Sequence, residues 1–223
     1  MKRLKLIITM LFSIPFVIAF LGALLFLPAG DIYWINGWML IASMVFYLLL
    51  VFIYFMIKDP STLEKRSKLS SDKGDNLYIT VIGFLFLALL LLPTFDYRFN
   101  WSQLPFFVSW IGFTGLIISY LILFFVMREN SFASKGVMIH EGQKVIDTGP
   151  YALVRHPMYM GALIMCVSIP LTLSSLISIV PAIFIPFIFA LRIRKEEELL
   201  LRELPGYDAY REKVKYKLIP KIW

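Results

Sequence analysis

The side chains best suited to chemistry stand in two short stretches. The first runs Gly149-Pro150-Tyr151-Ala152-Leu153-Val154-Arg155-His156-Pro157-Met158-Tyr159-Met160-Gly161, and the second holds Arg192, Glu196 and Glu197. Gly149-Pro150 marks a turn, and Pro157 suits the first turn of a helix, where its missing N–H costs nothing. A helix is therefore expected from Pro157, with its positive end beside Arg155 and His156, a setting suited to a carboxylate or phosphate. Arg192 and Glu196 are four apart and share a helix face. An acidic cluster emerging there from a bilayer suggests paired contacts to a ligand. Each stretch also has a plainer reading: Arg155 and His156 as polar anchors at the headgroups, and Arg192 to Glu198 as a solvated helix end rich in ion pairs.

The elements that must position these residues are membrane helices. The chain has 223 residues, of which 59% are hydrophobic and 17% charged, and a mean hydropathy of +0.77. Apolar runs at about 6 to 28, 35 to 57, 77 to 95, 104 to 127 and 158 to 176 are long enough to span a bilayer. Residues 177–191, with Pro181 and Pro186 inside, are expected as a kinked span or a partial crossing packed against its neighbour. The fold class is thus all-α, a polytopic membrane helical bundle of about six segments ending in a helical hairpin and a surface helix. Residues 1–127 would form a scaffold of four transmembrane helices, and residues 128–223 the region that carries both stretches.

Of the 22 Lys and Arg residues, 21 fall on one side of that arrangement, with Arg98 the exception. By the positive-inside rule this makes both termini and both long loops cytoplasmic. The net charge of +7 then reflects a basic face beside anionic membrane lipids and needs no nucleic-acid partner. The first apolar run is longer than the roughly 7 to 15 residues of a signal peptide core and reads as a retained helix. The single Cys166 excludes an internal disulfide and a cysteine-based metal site.

Gly112 and Gly115, with Thr114 and Ser119 nearby, point to close helix approach, with a flat wall against a ligand ring as the alternative. Residues 128–155 form the longest polar insertion, where function often resides. His140 within it has only Glu141 near metal-ligand spacing and reads as a solvated loop residue, so no metal is expected. A surface helix is expected after Asp59-Pro60. The tail from Leu204 to Trp223, with Tyr207, Tyr210, Val214 and Leu218 between basic residues, reads as an amphipathic helix on the membrane surface.

The pattern Gly-Pro-Tyr-x-x-Val-Arg-His-Pro-x-Tyr-x-Gly, then a hydrophobic hairpin, Arg192-Ile193 and Glu196-Glu197, then Leu204-Pro205-Gly206-Tyr207-Asp208-Ala209-Tyr210 running into Leu218-Ile219-Pro220, resembles the isoprenylcysteine carboxyl methyltransferase family and its phospholipid methyltransferase relatives. The resemblance covers residues 130 to 223. It implies S-adenosyl-L-methionine as cofactor and makes 128–223 the cofactor-binding and catalytic region. It puts Gln143, Lys144, Val145, Ile146, Tyr151, His156, Pro157, Met158, Tyr159 and Glu196 at the cofactor, and Arg192 at the substrate. Glu197 is a further candidate beside Glu196 on the cofactor, and either Glu197 or Glu196 could be the base that an amine acceptor would require; a carboxylate acceptor needs only a cation to steer it. No glycine-rich strand-to-helix turn is present, so the cofactor would sit at the cytoplasmic end of the bundle.

The implied activity is methyl transfer to a lipid-like or prenylated acceptor, with carboxyl O-methylation of an isoprenylcysteine-type substrate placed first and a phospholipid or other amine as the alternative. Two readings of other classes are a membrane sterol-type reductase using NADPH, which shares a similar Arg-His-Pro-x-Tyr region, and a scaffold that has lost activity. The compact length inclines the location towards a prokaryotic plasma membrane over the endoplasmic reticulum.

Overall fold

The computed structural model describes residues 2–60, 76–130 and 143–223. The helix expected after Pro60 and His140 both lie outside the described residues. Four long helices come first: α1 (Lys2–Ala29), α2 (Ile35–Lys58), α3 (Asn76–Phe99) and α4 (Phe106–Glu129). A 3-10 turn at Gly149–Ala152 leads into α5 (Pro157–Thr172), which a tight hairpin joins to α6 (Ile179–Glu203), followed by the short α7 (Tyr207–Lys213). The described residues contain no strand, and the all-helical bundle agrees with the sequence.

Apolar composition explains why α1 to α4 form: each is long and apolar enough to cross a membrane. Their outer faces carry exposed Phe12, Phe16, Phe46, Phe84 and Ile111, side chains that suit lipid and would be a liability in water. Inward, Leu25, Leu89, Leu116, Leu173, Ile185 and Ile193 are fully buried in one core. The hairpin differs from the first four helices. α5 has 16 residues, roughly 24 Å of helix against a hydrocarbon core of about 30 Å. α6 runs unbroken through Pro181 and Pro186 for 25 residues, but its apolar part ends at Leu191 and the rest is charged.

Close approach seats α5 on α4. A Cβ added at Gly112 would collide with the backbone of Leu171 and Thr172, and one at Gly115 with the Ser168 hydroxyl. These glycines therefore serve helix packing. Ser119 on α4 donates to the Gly161 carbonyl of α5 at 2.8 Å, which satisfies one of the few polar groups buried at that interface.

The far end of the bundle is pinned by buried polar groups. Asp96, fully buried at the end of α3, accepts from the Ser102 amide at 2.6 Å, the Ser102 hydroxyl at 2.7 Å and Ser175 at 2.5 Å. Asn36 on α2 donates to Ser109 on α4 at 2.7 Å and to the Thr172 carbonyl at 2.9 Å. The α5–α6 hairpin is thereby fixed to α2, α3 and α4, and the opposite ends of α5 and α6 are held in register, where the two reactive stretches meet.

Candidate functional site

α5 begins at Pro157 with His156 as its cap residue, as the sequence led us to expect. The chain reaches that point through a left-handed Gly149 at φ +57°, a conformation in which other residues are strained. Thr148 donates to Glu129 at 3.0 Å, and Asn130 donates to the Tyr151 hydroxyl at 3.0 Å, so the end of α4 holds both flanks of the turn. Tyr210 on α7 donates to the Tyr151 carbonyl at 2.7 Å.

Antiparallel packing of α5 and α6 brings the two stretches together. Arg155, His156 and Glu197 are only 6%, 5% and 5% exposed. Arg155 Nε donates to Glu197 Oε1 at 2.7 Å, and its Nη1 donates to the carbonyls of Val214 at 2.7 Å and Lys215 at 3.0 Å. Lys217 Nζ lies 2.8 Å from Glu197 Oε2, and His156 Nε2 lies 3.3 Å from Glu197 Oε1. Burial by itself would raise the Glu197 carboxyl. Hydrogen bonds from His156, Lys217 and Arg155 outweigh it and hold that carboxyl well below the usual carboxylate range.

Glu196 faces differently. Its side chain is 28% exposed, Oε2 accepts from the Tyr159 hydroxyl at 2.8 Å, and Oε1 lies 4.0 Å from His156 Nδ1. One turn earlier on α6, the buried Arg192 guanidinium stacks on the Tyr78 ring with its carbon 4.2 Å from the centroid. Tyr78 belongs to α3, so the N-terminal scaffold contributes a wall to this end. Tyr159 packs against Phe189 with ring centroids 5.1 Å apart.

His156, Tyr159, Glu196 and Glu197 thus form one cluster, with Arg192 on the same helix. Val145 and Tyr151 lie on its flank, packed against α7 and the end of α6. Lys144 is exposed, while Gln143, Ile146 and Met158 are half-buried and Pro157 is buried at the helix start.

Sequence reasoning missed the tail. Only Tyr207–Lys213 is helical. Beyond it the chain extends across the site, where the amides of Arg155 and His156 donate to the carbonyls of Tyr216 and Lys217, each at 2.9 Å. The two amides that precede α5 are therefore engaged by the protein's own backbone. Glu196, with a neutral hydroxyl and an imidazole beside it, has the exposure needed to receive a cationic or hydroxyl group.

An apolar groove of about 400 Å³ lies between α1, α2 and α3, lined by residues that include Phe20, Leu24, Met44, Gly83 and Phe86. Gly83 sits five residues along α3 from Tyr78, roughly 8 Å of helix.

Four helices are long and apolar enough to cross a membrane, as in an integral membrane protein, and the charged cluster lies at one end of the bundle. Residues 110–202 match the family model of isoprenylcysteine carboxyl methyltransferase (ICMT), so that stretch of the chain is similar to a family of methyltransferases. The matched region opens within α4 and closes near the end of α6, so it contains both reactive stretches and leaves Tyr78 and the tail outside. No curated protein matches the chain. Among the described residues no group of His, Cys, Asp or Glu could hold a metal ion.

Proposed function

We propose that this protein transfers a methyl group from S-adenosyl-L-methionine to a lipid-like acceptor, and that the acceptor atom is a carboxylate oxygen of an isoprenylcysteine-type molecule. The observation that carries the reading is the cluster of His156, Tyr159 and Glu196 at the start of α5, within the family match. Glu196, anchored by Tyr159, suits the ammonium or ribose hydroxyls of the cofactor, and His156 suits its carboxylate. Gln143, Lys144, Val145, Ile146 and Tyr151 of the preceding segment, with Pro157 and Met158, are assigned to the same cofactor by their resemblance to the family.

When bound, the cofactor supplies an electrophilic methyl group: the sulfur–carbon bond breaks with its electron pair left on sulfur, a carboxylate oxygen–carbon bond forms, and no proton changes hands. The protein must therefore align the reactants and exclude water. Arg192, held on Tyr78, is the cation that steers an acceptor carboxylate. Glu197 keeps its charge against Arg155 and Lys217, so it serves to position His156 and is poorly suited to take a proton from an amine. That favours the carboxylate over the amine acceptor. The groove near Tyr78 suits an apolar tail. Both termini and the site are assigned to the cytoplasmic side, in a prokaryotic plasma membrane.

The test is transfer from methyl-tritiated S-adenosylmethionine, catalysed by protein in vesicles, to an S-farnesylated cysteine or to phosphatidylethanolamine. Label on the farnesylated cysteine that alkali releases as methanol supports the ester. Alkali-stable label on the phospholipid supports the amine alternative, and NADPH oxidation without methyl transfer contradicts both.

A further inference from the structure

Tyr207 opens α7 and is 4% exposed, yet its hydroxyl has no hydrogen-bond partner among the described residues. Buried hydroxyls are ordinarily bonded, and Tyr210 in the same cluster shows the ordinary outcome in its bond to Tyr151. The cluster of Leu204, Tyr207, Tyr210 and Val214 packs against Val145, Tyr151 and Leu200. Val145 and Tyr151 are residues to which the cofactor is assigned above, so Tyr207 belongs to the cluster packed directly against them.

The surroundings also fix its form. Burial raises the pKa of the phenol, Glu197 raises it further and Arg155 opposes them with less effect. The hydroxyl therefore keeps its proton and can donate.

We propose that Tyr207 is a further ligand-contacting residue of this site, its hydroxyl donating a hydrogen bond to bound S-adenosylmethionine. The proposal rests on the methyl-donor reading above. A contact of this kind has opposite consequences in the free and bound protein. Tyr207→Phe removes an unsatisfied group from the free protein, which costs it nothing, but takes one bond from the complex.

Calorimetric titration of S-adenosylmethionine and S-adenosylhomocysteine into the detergent-solubilised full chain, with thermal midpoints measured with and without ligand, tests this for wild type and Tyr207→Phe. We expect the variant to unfold at or above the wild-type temperature without ligand, to bind about tenfold more weakly, and to gain less from ligand. Equal affinity of the two proteins overturns the proposal and leaves the methyl-donor reading standing. A lowered midpoint without ligand overturns it as well, because the hydroxyl would then be bonded within the protein. A wild type that binds neither ligand overturns both.

Discussion

Glu197 is the carboxylate on which the two ends of the site converge. Arg155 and Lys217 approach separate oxygens, and His156 shares the first with Arg155. Removing one member of a buried pair strands the other, at a cost of about 3 to 5 kcal/mol. Arg155→Met is expected to destabilise the detergent-solubilised protein by that order in chemical denaturation. Combining it with Glu197→Met should cost clearly less than the sum of the two single changes.

The same carboxyl sets a pH dependence. Its folded pKa lies below the model-compound value of 4.5, so its stabilisation is complete above that value and is lost as pH falls from there towards the folded pKa. Thermal midpoints of the wild type should fall over that acidic window more steeply than those of Glu197→Gln. Parallel profiles would mean that Glu197 is not the carboxylate that Arg155, Lys217 and His156 stabilise in the folded protein.

The helices explain why some of this was legible in the amino-acid sequence and some was not. Pro157 announced the start of α5 because its ring geometry is local, and Gly112 and Gly115 announced close packing because small residues have few other uses in an apolar helix. A Cβ at residue 112 meets backbone at the α4–α5 contact, which cannot yield as a side chain can. Gly112→Ala should lower stability by about 1 to 3 kcal/mol, measurable in the same denaturation, whereas Gly83→Ala, with open space around it, should not.

The tail was misread because its alternation of Tyr, Val and Leu with Lys and Arg fits a surface helix. What decides its conformation is tertiary. The amides of Arg155 and His156 and the Arg155 guanidinium draw the carbonyls from Val214 to Lys217 across the site, and nothing in the local pattern signals that. Tyr78 was hidden for the same reason, since it meets Arg192 only through the packing of α3 on α6.

Taken across the molecule, the two ends of the bundle are chemically distinct. Neutral hydroxyls and the buried Asp96 lock the far end, while the charged residues of α4 and α6, with Arg155 just before α5, gather at the end that carries the candidate site. Composition alone made the membrane class and this asymmetry readable, because Lys and Arg mark one face of every hairpin. The run at 158 to 176 was expected to span, but α5 ends at Thr172 and is shorter than the first four helices, whereas the short apolar stretch 177–191 was already legible. The cytoplasmic orientation of the site is checked by labelling single cysteines introduced at residues 33 and 216 into a Cys166→Ser background. An impermeant maleimide applied to intact cells should react at 33 and spare 216 until the membrane is opened.

The most direct measurement of all is calorimetric titration of S-adenosylhomocysteine into the wild type, Glu196→Gln and His156→Ala. Saturable binding by the wild type, weakened at least about tenfold by each substitution while thermal unfolding remains cooperative, is the expected result. No binding by the wild type, or binding indifferent to both substitutions, would contradict a methyl-donor site at the start of α5.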